Sequence, residues 1–198
     1  MTNTSDAPPA TDADPATGED PEGSLPAAAP SAVALHRTVR QAGQEEIERP
    51  FWALAWSGIA AGIAINTSLV AEGMLHARLP DAPWREAVVA LGYPIGFLLV
   101  ILGRLQLFTE STVTAMLPLV TAPSRAALGK TIRLWGIVIA ANLVGTGIAG
   151  AGTAWGLIVD PMLKQGMVEV SMKITTLGFG ATVVNAVPAG FLIAMIAW

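Results

Sequence analysis

Arg104-Leu105-Gln106-Leu107-Phe108-Thr109-Glu110-Ser111-Thr112 interrupts a long apolar stretch with two charges and four polar side chains. Each charge near the centre of a bilayer costs roughly 2.5 to 3.5 kcal/mol, so residues of this kind face a protein interior or a water-filled path. The surrounding stretch, about residues 87–120, is too long for one straight span. It is therefore expected to break near residues 104–111 into half-helices over about 87–103 and 111–120, with Ser111 and Thr112 suited to cap the second. Non-helical backbone at membrane depth survives only where protein or cavity water satisfies its N–H and C=O groups. The loop should thus pack inside the protein or line a path. The free N–H groups and positive dipole end of the second half-helix suit an anion there.

Working outward, the 198 residues are 53% hydrophobic and only 13% charged, with a mean hydropathy of +0.55. That is the composition of an all-α integral membrane helical bundle. The absence of cysteine excludes disulfides, thiolate nucleophiles and Cys-based metal sites. The net charge of −4 is concentrated in residues 1–30, where Asp6, Asp12, Asp14, Glu19, Asp20 and Glu22 occur without a Lys or Arg. This region reads as a disordered acidic tail, since it has too little apolar surface to offset ordering entropy and no secretory signal pattern. Residues 31–49 interleave Val33, Leu35, Val39 and Ile47 with charged and amide residues, as an amphipathic surface helix does. The transmembrane domain follows over residues 50–198, with spans at about 51–75, 87–120, 134–159 and 179–198. Trp52 and Trp56 suit the interface at the start of the first span. Arg37, Arg40, Arg49, Arg125, Lys130 and Arg133 fall on one side of these spans, and Arg78, Arg85, Lys164 and Lys173 on the other. The bias places the N-terminus in the cytoplasm. His36 and His76 are expected to be solvated. No nucleophile, carboxylate pair or phosphate loop is arranged for chemistry, so no catalytic residue, metal, cofactor or nucleic acid is expected.

Leu107-Phe108-Thr109 follows an apolar half-helix bearing Gly103, with Tyr93, Gly96 and Phe97 upstream. Farther along, Trp135 precedes Asn142-Leu143-Val144-Gly145. In this combination the chain resembles the formate/nitrite transporter family over roughly residues 50–198. The resemblance implies an aquaporin-like fold with six spans, the second split by an omega-shaped loop. It also implies a pentamer in the bacterial inner membrane, each protomer passing small monovalent anions such as formate or nitrite. Carried over by position, Thr109 offers its hydroxyl to the anion, Leu107 and Phe108 narrow the path, and Tyr93 and Phe97 line it. Plainer readings stand beside these. Tyr93 and Phe97 can be interhelical packing, Thr109 can bond its own loop, and Asn142 is expected to fix helices or loop carbonyls.

Two features depart from the family pattern. Glu110 stands where small or hydroxylated residues are usual, and a carboxylate beside the path repels an anion. Arg104 is expected to pair with Glu110 and, with Ser111 and Asn142, to support the loop. The alternative is that Glu110 meets only the helix dipole while Arg104 reaches the interface. The chain also ends before the fifth span, where the family carries a central histidine. Four of six spans are expected, in a truncated or divergent member. The function expected is a transporter or channel for small anions, and the alternative is a non-transporting membrane scaffold derived from that fold.

Overall fold

Pro50 separates the first two helices: its φ of −65° and ψ of 152° are extended, and the chain turns there from α1 (Ala32–Glu48) into α2 (Phe51–Arg78). The computed structural model describes residues 31–197, so the acidic tail and Trp198 lie outside the described residues. Beyond α2 come α3 (Arg85–Val89), a 3-10 turn (Ala90–Gly92), α4 (Pro94–Leu102), α5 (Phe108–Thr121), α6 (Arg125–Ala154), α7 (Pro161–Thr175) and α8 (Phe179–Ala197). No strand occurs among the described residues.

The molecule is an integral membrane helical bundle. α2, the segment Arg85–Leu102 and α6 are each long and apolar enough to cross a membrane. α7 and α8 together would make a fourth crossing, bent by 104°.

Local chemistry sets the helix ends. The Ser124 hydroxyl accepts from the Ala127 N–H at 3.0 Å, which starts α6 nine residues before the apolar run begins at Leu134. α6 stops at Gly156, whose φ of 69° only glycine adopts freely. Asp160 caps α7 by accepting from the Leu163 N–H at 2.9 Å, and Pro161 takes the first helical position. α7 occupies the stretch between the last two expected spans. Its Gly166 lies against the Gly73 carbonyl of α2, and a Cβ at Gly73 would meet Met167.

The α2–α6 crossing is closer still. A Cβ at Gly62 would strike the Asn142 carbonyl oxygen, and one at Gly145 the Ile59 carbonyl oxygen. Here the small residues of α6 serve close contact. On its other face Gly136, Gly147 and Gly150 meet nothing.

Pro118 lacks the N–H that would bond the Thr114 carbonyl, and Gly43 of α1 seats directly against that freed oxygen. Val39, Gly43 and Ile47 form the buried stripe of α1. Ile47 joins Leu54, Ala115, Leu134 and Val138 in one core cluster; Ala61, Val100 and Leu107 form another. On the outer face of α1, hydrogen bonds from Gln44 and then Lys130 hold the Glu48 carboxyl below the usual carboxylate range.

At the opposite end of α2, His76 is buried rather than solvated. Its Nε2 lies 2.9 Å from Glu169 of α7, Arg85 donates to its carbonyl oxygen, and Lys173 pairs with Glu86. These contacts tie α7 and α3 to the end of α2.

Candidate functional site: the break in the second span

The break spans only residues 103–107. The second half-helix begins at Phe108, three residues earlier than Ser111, and its N-cap is Leu107 with φ −102° and ψ 132°. Neither Ser111 nor Thr112 caps it. Leu107 offers no side-chain acceptor, so a neighbouring helix supplies one. Asn142 of α6 accepts from the Phe108 N–H with Oδ1 at 2.8 Å, the role a capping side chain plays elsewhere. Its Nδ2 donates to the Gln106 carbonyl at 2.9 Å and the Gly58 carbonyl at 2.8 Å. One amide thus joins α2, α6 and both sides of the break, where water would be too costly a partner.

Gln106 is a second organising residue, buried at 5% exposure. Its N–H donates to Ser57 at 3.0 Å, its Oε1 accepts from the Ser111 hydroxyl at 3.1 Å, and its Nε2 donates to Glu46 at 3.4 Å. Glu46 also accepts from the Thr114 hydroxyl at 2.5 Å. Trp135 donates to the Ser111 carbonyl at 3.2 Å. Sequence reasoning assigned no role to Gln106, Glu46, Ser57 or Thr114. A signal existed for Glu46: position 46 lies three residues from Gly43 and beside Ile47, on the buried stripe of α1.

Of the residues read from sequence as a path, the structure brings three together. Phe97, Leu107 and Thr109 line a cavity of about 30 Å³, with Val100, Ile101, Glu110 and Ile193 of α8. That is room for about one water molecule. Tyr93 stacks near Phe97, ring centroids 5.2 Å apart, while its carbonyl accepts from Ser68 at 2.5 Å. The Thr109 side chain is exposed and makes no hydrogen bond among the described residues; its carbonyl accepts from Thr112 at 2.7 Å.

Phe108 is not part of this lining. Leu107 is extended backbone, in which successive side chains point to opposite sides, so with Leu107 toward the cavity Phe108 turns to the core. It packs there against Trp135, ring centroids 6.4 Å apart and 74° between planes.

The expected ion pair is also absent. No ion pair joins Arg104 to Glu110 among the described residues. Arg104 takes a φ of 47°, which costs a non-glycine residue about 1 kcal/mol. Its N–H closes a turn on the Ile101 carbonyl at 3.1 Å, and its side chain is exposed. Both residues nonetheless face a larger cavity of about 330 Å³ with Glu45, Glu46, Arg49, Gln106 and Ser111. Among the described residues no group of three His, Asp or Glu is placed to hold a metal ion.

A family model described as formate/nitrite transporter matches residues 33–198. The chain is 40% identical over 167 residues to the inner membrane protein YfdC of Escherichia coli (strain K12), which covers 84% of this chain and 54% of that protein. The chain therefore spans about half the length of the curated relative it matches. No solved structure matches.

Proposed function

The chain belongs to the formate/nitrite transporter family, and on that footing we propose that it passes a small monovalent anion across the inner membrane. The Escherichia coli relative is an inner membrane protein, which supports that membrane. The observation that carries the reading is the break itself: Asn142 holds a non-helical segment at membrane depth, leaving Leu107, Thr109 and Phe97 around one small cavity. An apolar constriction strips hydration from permanent ions, and a free hydroxyl such as that of Thr109 offers partial compensation. Leu107 and Phe97 act as the narrowing, Tyr93 as part of the approach, and Arg104, Ser111 and Asn142 as loop support. The N-terminus is assigned to the cytoplasm on the basic-residue bias.

Formate and nitrite uptake into proteoliposomes tests the reading. Thr109→Ala is expected to lower flux roughly tenfold without changing thermal stability, the equivalent of about 1.4 kcal/mol in barrier height. Wild-type flux equal to that of empty liposomes sinks it. A non-transporting scaffold is the second reading, favoured by the small size of the constriction and by Glu110 on its wall. It requires no flux and an intact bundle.

A further inference from the structure

His76 stands two residues before the end of α2 and is only 7% exposed, yet both of its ring nitrogens face carboxylates. Nε2 lies 2.9 Å from Glu169 of α7, and Nδ1 lies 3.8 Å from Glu86 of α3. An ionised carboxylate only accepts, so in a neutral ring Nε2 carries the proton and Nδ1 is a bare lone pair. That Nδ1 is buried and has no hydrogen-bond partner among the described residues. A lone pair turned toward a carboxylate satisfies neither group. A second proton makes Nδ1 a donor aimed at Glu86, and the imidazolium then serves two carboxylates from two helices.

The other charges at this end of α2 are largely engaged with one another. On α2 itself, Glu72 lies one turn before His76, and Arg78 is exposed at the helix end. The link to α3 brings Asp81, which pairs with Arg85 at 3.8 Å, and Arg85 also donates to the His76 carbonyl. From α7, Lys173 pairs with Glu86, Lys164 is committed to the Ala154 carbonyl, and Gln165 donates to the second oxygen of Glu169 at 2.9 Å. α6 has no charged side chain after Arg133, so it contributes none here. Among the described residues, His76 is the one ion-pair partner of Glu169.

We propose that His76 is a proton-operated latch at the membrane face opposite α1, clasping α3 and α7 to the end of α2 when its ring is charged and easing when it is neutral. Imidazole is the side chain that ordinarily changes charge between about pH 5 and 8. The proton adds a bond to Glu86 and charges the one to Glu169. The clasp is therefore fully made on the acid side and is lost as pH rises through the imidazole titration. On the alkaline side the Nε2–H bond to Glu169 and the Gly73–Gly166 seat remain, so α7 stays docked but opens more often. The second span begins at Arg85 and Glu86, and the same proton sets how firmly its first turn is held. Neither effect depends on what the chain transports.

Hydrogen exchange of the full chain in nanodiscs, at about pH 5.5 and about pH 8 and corrected for intrinsic rates, tests the latch. The amides of α7 are expected to be roughly fivefold less protected at the higher pH, the difference between a charge-assisted and a neutral hydrogen bond, while α6 is unchanged. His76→Gln keeps an N–H for Glu169 but cannot titrate, so its α7 should match the alkaline wild type at both pH values. A pH response retained in His76→Gln belongs to another group and overturns the proposal. Wild-type α7 protection that is the same at both pH values overturns it as well. Should His76→Gln fail to fold, nitrogen NMR of a His36→Gln chain decides, because His76 is then the only histidine. Both ring nitrogens must be protonated at about pH 5.5 and Nε2 alone at about pH 8. A ring in one protonation state at both overturns the latch.

Discussion

Asn142 makes three hydrogen bonds with one side chain, each to a backbone group at the break or on α2. Asn142→Leu fits the helix but leaves the Phe108 N–H and Gln106 carbonyl unpaired in an interior position. Each unsatisfied group costs about 1 to 3 kcal/mol. The expected loss is therefore about 2 to 6 kcal/mol, read as a fall in unfolding midpoint in detergent. Asn142→Asp keeps the acceptor for Phe108 but presents a carboxylate to two carbonyl oxygens, and should be at least as damaging. A variant of either kind with the wild-type midpoint contradicts the assignment. Asn142 stood out in the sequence because an amide in a small-residue membrane helix has few uses besides fixing helices or loop carbonyls. The partners of Gln106 and Glu46 were not legible there: they depend on α1 lying against α5, a contact between residues far apart in the chain.

Among the elements, α5 shows best how backbone chemistry directs packing. Pro118 frees the Thr114 carbonyl, and the absence of a side chain at Gly43 lets α1 sit on it. Gly43→Leu is expected to lift α1 from α5 and break the Glu46–Thr114 bond, at a cost of about 1 to 3 kcal/mol. Hydrogen exchange in α1 should accelerate while α2 and α6 keep their protection; unchanged α1 protection contradicts the contact. The start of α5 was misplaced in the sequence for a related reason. Ser111 and Thr112 are good caps in isolation, but an acceptor on α6 outcompetes them, and no local pattern reports a cap donated from 34 residues away. α7 escaped notice because three charges, Lys164, Glu169 and Lys173, interrupt its apolar residues. Its place is set by the Gly73–Gly166 contact and the Glu169–His76 bond.

For the molecule as a whole, α8 is the least enclosed helix: it is exposed along most of its length and reaches the small cavity through Ile193. Exposed apolar surface on a membrane protein is met by lipid or by protein. Assembly into pentamers is the reading the family suggests, and native mass spectrometry from nanodiscs checks it. Five copies per particle are expected, and a purely monomeric spectrum counts against it. What the sequence by itself determined was the class: apolar runs of membrane length, interrupted by a polar segment that must be sheltered, allow little besides a helical bundle with a broken span. Local composition suffices there because hydrophobic length and backbone hydrogen bonding are properties of a segment. Which polar residues shelter the break, that Phe108 turns to the core and that Glu110 lines two cavities were decided only by the tertiary structure. Those outcomes depend on the rotation of each helix and on partners supplied across it, and neither is a property of the segment alone.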